Sequence, residues 1–410
     1  MRRADAVEKN ERRTERMKRI KIGVILLALL LAAMAIIPMV SADNTGTSSA
    51  TAIQAPTIDV KKIILPELQF EASQKFVDVN QGLNPDKNTV PSKFLTSEFK
   101  AGNQGVSKIP YGSIIYHSRD GITRVFDSSG KQLFAADDMK VAKVFTPQGP
   151  QAATYVHEVP EGSFINTQGD RKYTIYENSV ILTEVTETSA VSGVIMAAPS
   201  DWPPQYIEGV EYTPTQAVGR FTSQWTVPTA PSSTQSGQIT TIWNGLHRNS
   251  GASGVIQPVL AWNENGDLRY TIRVWEVSSS GTYKSTQYGA RAGHTIVGDI
   301  AWDSSMSYWK VTIKDVNSGD ISPMWSNLVS TSSCQAALML EGFQQPVNRA
   351  YYPGAITFTN NVLRSTAGTV ITPPASSVNG YVATTWYSGN NLLAVNKNNW
   401  PSSVVLSTGN

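Results

Sequence analysis

Along most of this chain apolar and polar residues alternate with a period of two, in short runs broken by turn chemistry. Between residues 105 and 190 the segments IPYGSIIYH, ITRVFDSSGKQLFAA and RKYTIYENSVILTEV alternate around the clusters DSSGK and NTQGD. This predicts antiparallel hairpins and a small β domain. After residue 215, runs of five to nine residues rich in Thr, Val, Ile, Tyr and Trp are separated by NENGD, SSSG, VNSGD and TNN. No window there has helical periodicity, so the pattern predicts an antiparallel two-sheet sandwich. The tail, with GYVATTWYS and NLLAVN, continues in the same style and suits an edge hairpin of that sandwich. Residues 61–100 are mixed, with a short helix or two among loops.

The front of the chain breaks the pattern. Residues 1–21 hold nine Lys/Arg against four Asp/Glu, and an apolar run follows from Ile22 to Ile37. Pro38 and the small residues of Val40-Ser41-Ala42 come next. This order predicts a secretory signal cleaved after Ala42, with an uncleaved signal anchor over residues 22–37 as the alternative. The expected location is therefore secreted or at the extracellular surface, membrane-anchored only if the segment stays. Residues 43–60, rich in Ser, Thr and Ala, read as a flexible linker. All ten Trp lie after residue 200. With the Pro-rich APSDWPP and YTPTQ, that break predicts a boundary near 190–215. The expected organisation is thus 1–42 signal, 43–60 linker, 61–200 a segment with the small β domain, and 201–410 the sandwich.

Composition narrows the function. Charged residues are 16% and the formal net charge is +2, with the basic excess confined to the first 21 residues. Nothing downstream resembles a nucleic-acid footprint. The single Cys334 excludes an intrachain disulfide and reads as a small buried side chain. The four histidines, His117, His157, His247 and His294, are not at metal-ligand spacing, and no CxxC, HExxH or GxSxG occurs. The sequence gives no reason to expect a metal or cofactor.

Two apolar runs each carry one strongly polar residue: VIQPV around Gln257 and AALMLEGF around Glu341. An ionised, unpaired carboxylate in such a run costs several kcal/mol, on the order of 3–5. The bland reading of Glu341 is a carboxylate at a sheet edge, solvated or paired with Arg273 or Arg349, and of Gln257 a residue facing solvent.

FTSQWTVP, IWNGL, VIQPV, VWEV and LMLEGF, in that order, resemble the landmarks of the eqolisin family, the glutamic peptidases. That family carries a W-x-G-[IL] strand, an L-Q-T-G-like strand, a W-Y-E-W-like strand and an [IV]-x-E-D-F-like strand. The resemblance covers about a third of the chain, residues ~215–362. It implies a concanavalin-like antiparallel β-sandwich and a monomeric acid endopeptidase acting on polypeptides. By the pattern of secreted peptidases of this type, residues 61–200 are expected to be a pro-region that covers the cleft until it is removed, with a permanent surface-attachment or binding module as the alternative. The resemblance also implies catalytic residues Gln257 and Glu341, and a substrate cleft lined by Glu276, Trp243 and Trp275. The chain departs from the pattern at Val274 and Val277, at Pro258-Val259 after the Gln, at His247 and at Gly342. The Gln–Glu pair has a chemical logic: an ionised Glu takes a proton from water, and the Gln amide orients that water and donates to the oxyanion. Two readings compete with it. One is a non-catalytic lectin-like or surface-adhesion sandwich. The other is a glycoside hydrolase using Glu276 and Glu341.

Overall fold

A computed structural model describes residues 76–80, 106–118, 121–141, 143–146, 149–186, 206–234, 237–248, 254–343, 349–374, 379–384, 393–399 and 402–408. The expected signal, linker and domain boundary lie outside these residues, save for 206–215. Among the described residues no helix is long and apolar enough to cross a membrane. Regular structure here is β apart from short 3-10 turns, in an 11-stranded sheet, a 14-stranded sheet and a two-stranded ribbon.

The centre of the first sheet is antiparallel. Its order runs Gly281–Lys284, Tyr270–Ser278, Gly254–Trp262, Ile239–Arg248, Cys334–Phe343, Tyr206–Tyr212 and Asn379–Thr384. The second sheet centres on Ile356–Ser365, Val218–Thr226, Thr295–Asp303, Tyr308–Asp315 and Ile321–Ser326. Alternation along each strand sends one set of side chains inward. Ile242, Leu246, Ile256, Leu260, Ile272, Val274, Leu338 and Leu340 of the first sheet share one apolar core with Phe221, Trp225, Ile296, Ile300, Val311 and Ile313 of the second. The result is an all-β sandwich. The tail supplies the hairpin Leu393–Asn399 and Ser403–Thr408 at an edge of the second sheet, beside Ile356–Ser365.

The first sheet is buried on its other face too. Gly254–Trp262 and Tyr270–Ser278 are buried at every position. Trp243, Val255, Val259, Ala261, Trp275, Val277, Ala337 and Met339 form a second apolar cluster, separate from the interlayer core. Two local features shape this region. Asn263 turns the chain at φ 61°, where Asn is tolerated, and its side chain accepts from the Leu268 amide and donates to the Gln238 carbonyl. Gly298 of the second sheet has no room for a side chain: a Cβ there would lie 2.0 Å from Asn244 Oδ1 and 2.7 Å from Pro258 Cγ.

Residues 106–186 form the expected antiparallel hairpins, yet they are not a separate body. Phe164–Gln168 pairs in parallel with Ile321–Ser326, and Val156–Glu158 pairs in parallel with Gly281–Lys284. The described residues accordingly fall in one compact unit, Ala55–Asn410. Strand pairing therefore bridges the boundary expected near 190–215. A hidden charge pair reinforces the junction. Lys172 Nζ lies 3.0 Å from Glu276 Oε1, 2.7 Å from Ser278 Oγ and 3.1 Å from the Gly281 carbonyl. All three ammonium protons find acceptors, which makes burial of this cation tolerable.

Removing one partner of a buried pair costs more than removing both. Lys172→Met is expected to lower the unfolding free energy by about 3–5 kcal/mol, because Glu276 stays buried without its cation. The double variant Lys172→Met/Glu276→Leu should recover most of that loss. Urea unfolding of the three chains checks the order, and equal losses in the single and double variants would contradict it.

Candidate functional site

Strand register brings the sequence-selected residues to the outer face of the first sheet. Glu341 stands opposite Thr241, and Gln257 stands opposite Trp275. In the pairing that sets Trp243 against Val259 and Leu246 against Ile256, Gly245 faces Gln257. Alternation therefore puts Thr241, Trp243, Gly245 and His247 on the same face as Gln257, Trp275 and Glu341. Gln257 and Glu341 lie two strands apart and four residues offset, with Trp243 between them.

The indole of Trp243 links the two positions. Its Nε1 donates to Glu341 Oε2 at 2.8 Å, and Thr241 Oγ1 donates to the same oxygen at 2.8 Å. The far edge of the ring lies over Gly245: a Cβ at that glycine would meet Trp243 Cζ3 at 2.8 Å. So the missing side chain of Gly245 lets the ring reach from the carboxylate toward the strand position opposite Gln257.

Electrostatics set this carboxyl apart. Glu341 is 1% exposed, and its pKa is raised to about 7. Burial is the cause, partly offset by the two hydrogen bonds from Trp243 and Thr241, which favour the anion. Gln257 is fully buried, and among the described residues neither its amide nitrogen nor its amide oxygen has a hydrogen-bond partner. A buried polar amide in that state costs roughly 1–3 kcal/mol, a cost that a water or a substrate group would relieve. His247 packs its ring 5.5 Å from that of Trp243, and burial lowers its pKa to about 4, so it is neutral near pH 7.

Trp275 lies on the same face, its indole N–H without a partner among the described residues and Lys284 Nζ 4.9 Å above its ring. Glu276 does not join it. As the next residue along the strand it points into the interlayer core, where Lys172 holds it. The cleft role expected for Glu276 is thereby corrected, since two adjacent strand residues cannot face the same side. Glu276 and Glu341 for the same reason cannot flank one sugar bond. Arg273, the expected alternative partner of Glu341, instead meets Glu158 at 3.1 Å and Glu264 at 3.4 Å. Asp299 is structural, held by Arg220 and Thr222. Burial raises the Cys334 thiol to about 12, which leaves it inert.

Sequence reasoning missed Thr241 and the donor role of Trp243. The spacing T-x-W-x-G in TTIWNGL carried the signal, because alternate residues share a face.

No family model matches the chain, and no curated protein sequence matches it. Among solved structures it is similar to scytalido-glutamic peptidase bound to a peptide-based transition-state analogue. That match has 15% identity and a TM-score of 0.38, over 50% of this chain and 99% of that one. It is also similar to SCP-B, a member of the eqolisin family of peptidases in complex with the tripeptide Ala-Ile-His. Identity there is 14% and the TM-score 0.36, again over 50% and 99% of the two chains. A third likeness is to the CBM2 module of the Lactobacillus casei BL23 phage J-1 evolved Dit, at 10% identity and TM-score 0.23, over 46% and 83%. These are distant likenesses of fold.

The raised pKa of Glu341 has a stability consequence. Its folded value, about 7, exceeds the ordinary 4.5. The neutral carboxyl is thus favoured by folding. Below about 4.5 there is no penalty, and stability is lost as pH rises through 7, by on the order of 3 kcal/mol. Glu341→Gln should remove this alkaline loss while leaving the acid limb in place. Trp243→Phe, by deleting a donor to the anion, should raise the folded pKa further, so the loss still begins near 4.5 but extends to higher pH and grows. Urea unfolding from pH 4 to 8 checks both, and parallel curves for the three chains would contradict the assignment.

Proposed function

We propose that the chain is an exported peptide-bond hydrolase of the glutamic type, with Glu341 as general base then acid and Gln257 as the oxyanion donor. One observation carries the reading. A carboxyl held by two donors and an amide without a partner among the described residues share one sheet face, with the Trp243 indole, which donates to the carboxyl, lying over the glycine opposite the amide's strand position. The five ordered sequence landmarks support the same reading.

In this account Glu341, when ionised, takes a proton from a water placed between the two side chains. The Gln257 amide donates to the oxygen that becomes negative as that water adds to the scissile carbonyl. Glu341, now protonated, returns the proton to the leaving amine. Trp243 and Thr241 hold the carboxylate throughout and favour its charged form. Trp243 and Trp275 supply apolar wall for a polypeptide.

Both reactive groups are buried in the intact chain, so substrate reaches them only once this face opens. A cut in the 187–205 stretch, at or next to the boundary expected near 190–215, is the proposed trigger. Residues 106–186 would stay attached, through their parallel pairings and the Lys172–Glu276 pair, as a nicked partner of the sandwich. Water entering the opened face removes the burial effect on Glu341 and leaves its two donors. Its pKa should then fall well below 7, which allows an ionised base in acid. Residues 1–42 would direct export, or residues 22–37 would retain the chain at a membrane.

Cleavage of a denatured protein by residues 43–410, intact and after limited proteolysis, tests the reading between pH 2 and 7. Activity is expected in acid, in the nicked form, and insensitive to a serine-directed inhibitor. Glu341→Gln should abolish it, and Gln257→Ala should lower kcat by roughly 10²–10³. Activity that survives Glu341→Gln would refute the proposal. No cleavage at any pH by either form would favour a binding sandwich.

A further inference from the structure

Where residues 106–186 meet the first sheet, three chain-distant side chains converge. His117 ends the Ser113–His117 strand, His157 lies in Val156–Glu158, and Glu184 lies in Ser179–Thr186. Their nitrogen and oxygen ligand atoms all lie within 4.8 Å of one another. All three residues are at most 1% exposed. His117 Nε2 is 2.6 Å from Glu184 Oε1, and His157 Nε2 is 3.3 Å from the same oxygen.

Counting protons shows what this cluster lacks. Asp138 Oδ1 accepts from both Thr123 and Thr154, at 2.7 and 2.8 Å. The one Thr123 hydroxyl proton is thereby used. Thr123 Oγ1, 2.7 Å from His117 Nδ1, must accept there, so Nδ1 carries the proton. That relay leaves the Nε2 lone pair of a neutral His117 aimed at a carboxylate oxygen, two acceptors face to face. Among the described residues neither ring nitrogen of wholly buried His157 makes a well-directed hydrogen bond; Nε2 only stands 3.3 Å from Glu184 Oε1. The site needs positive charge at its centre. Protonating both imidazoles would place two cations beside one carboxylate without access to water. One divalent cation satisfies both lone pairs and the carboxylate together.

The surroundings hold the three groups in place. His117 stacks on Tyr155 at 3.7 Å, and the His157 ring lies 5.2 Å from that of Tyr283. The Tyr283 hydroxyl donates a short hydrogen bond to Glu184 Oε2. Gly281 leaves space for the carboxylate, since a Cβ there would fall 2.3 Å from Glu184 Oε2. An oriented imidazole backed by a hydroxyl–carboxylate relay is the outer-shell arrangement that metal-binding histidines use.

We propose that His117, His157 and Glu184 bind a divalent transition-metal ion of the zinc class, as two imidazoles and a carboxylate suit that ion. Bonds of about 2.0–2.2 Å at a tetrahedral angle require His117 Nε2 and Glu184 Oε1, 2.6 Å apart here, to part by roughly 0.7–1.0 Å. The ion would staple the strand that pairs with Gly281–Lys284 to two strands of the second sheet. This site is independent of the Gln257–Glu341 chemistry.

The test uses the full mature chain, untagged and purified without chelator. Mass-spectrometric metal analysis should find about one equivalent of zinc-class metal. After dialysis against a chelator, titration with zinc chloride should restore one equivalent and raise the melting temperature. Cobalt chloride should give the visible bands of a low-coordinate site. His157→Asn and Glu184→Gln, checked for folding by circular dichroism, should each weaken uptake at least tenfold. A folded wild-type chain that neither contains nor takes up zinc would overturn the proposal and leave a protonated imidazole as the cluster's charge. Undiminished uptake by both folded variants would overturn it as well.

Discussion

A carboxyl group inside a sheet that is sealed on both faces is the constraint on which this structure turns. Among the described residues Glu341 has no cation to neutralise it, only two neutral donors, Trp243 and Thr241. Hydrogen bonds of that kind soften the cost of a buried charge without cancelling it. The carboxyl therefore sits near the balance between its two protonation states, with a pKa raised to about 7. A group so placed changes its charge when water arrives. Its preference is thus linked to the opening of the face, and the same indole that steadies it reaches toward Gln257.

The contrast with Glu276 and Glu184 shows how burial is handled when a carboxylate is meant to stay charged. Glu276 has Lys172, whose three protons are all used. Glu184 accepts from the Tyr283 hydroxyl and faces the imidazoles of His117 and His157. Both groups sit at the seam between residues 106–186 and the sandwich. The two parts are joined by charges that neither could bury alone, as well as by parallel strand pairing.

The alternation of apolar and polar residues made the all-β sandwich and the hairpins of 106–186 legible. The tail hairpin expected from GYVATTWYS and NLLAVN does not form: Asn379–Thr384 joins the first sheet, and Leu393–Asn399 pairs with Ser403–Thr408 in the second. The same alternation places Thr241 and Trp243 on the face of Glu341, once the pairing partner is known. What one chain could not disclose was pairing between distant segments. Nothing local in FINTQ or VHE states that these runs join Ile321–Ser326 and Gly281–Lys284 in parallel. The expected boundary rested on tryptophan distribution, which does not register strand pairing. The histidines were passed over for the same reason. Ligand spacing along a chain detects sites built within one hairpin or helix, whereas His117, His157 and Glu184 come from three strands. Glu276 was misplaced because a motif aligned it with Trp275, while alternation sends neighbours to opposite faces.

The central claim is that Glu341 is a buried acid whose proton is released when its face opens to water. Infrared difference spectroscopy of chain labelled with ¹³C-glutamate tests it most directly, by following the carboxylic acid stretch with pH in the intact and the nicked forms. The account predicts a protonated carboxyl that titrates near pH 7 in the intact chain, shifts to lower pH after nicking, and is missing in Glu341→Gln. An acid band that is absent above pH 5 in the intact chain, or that persists unchanged in Glu341→Gln, would contradict it.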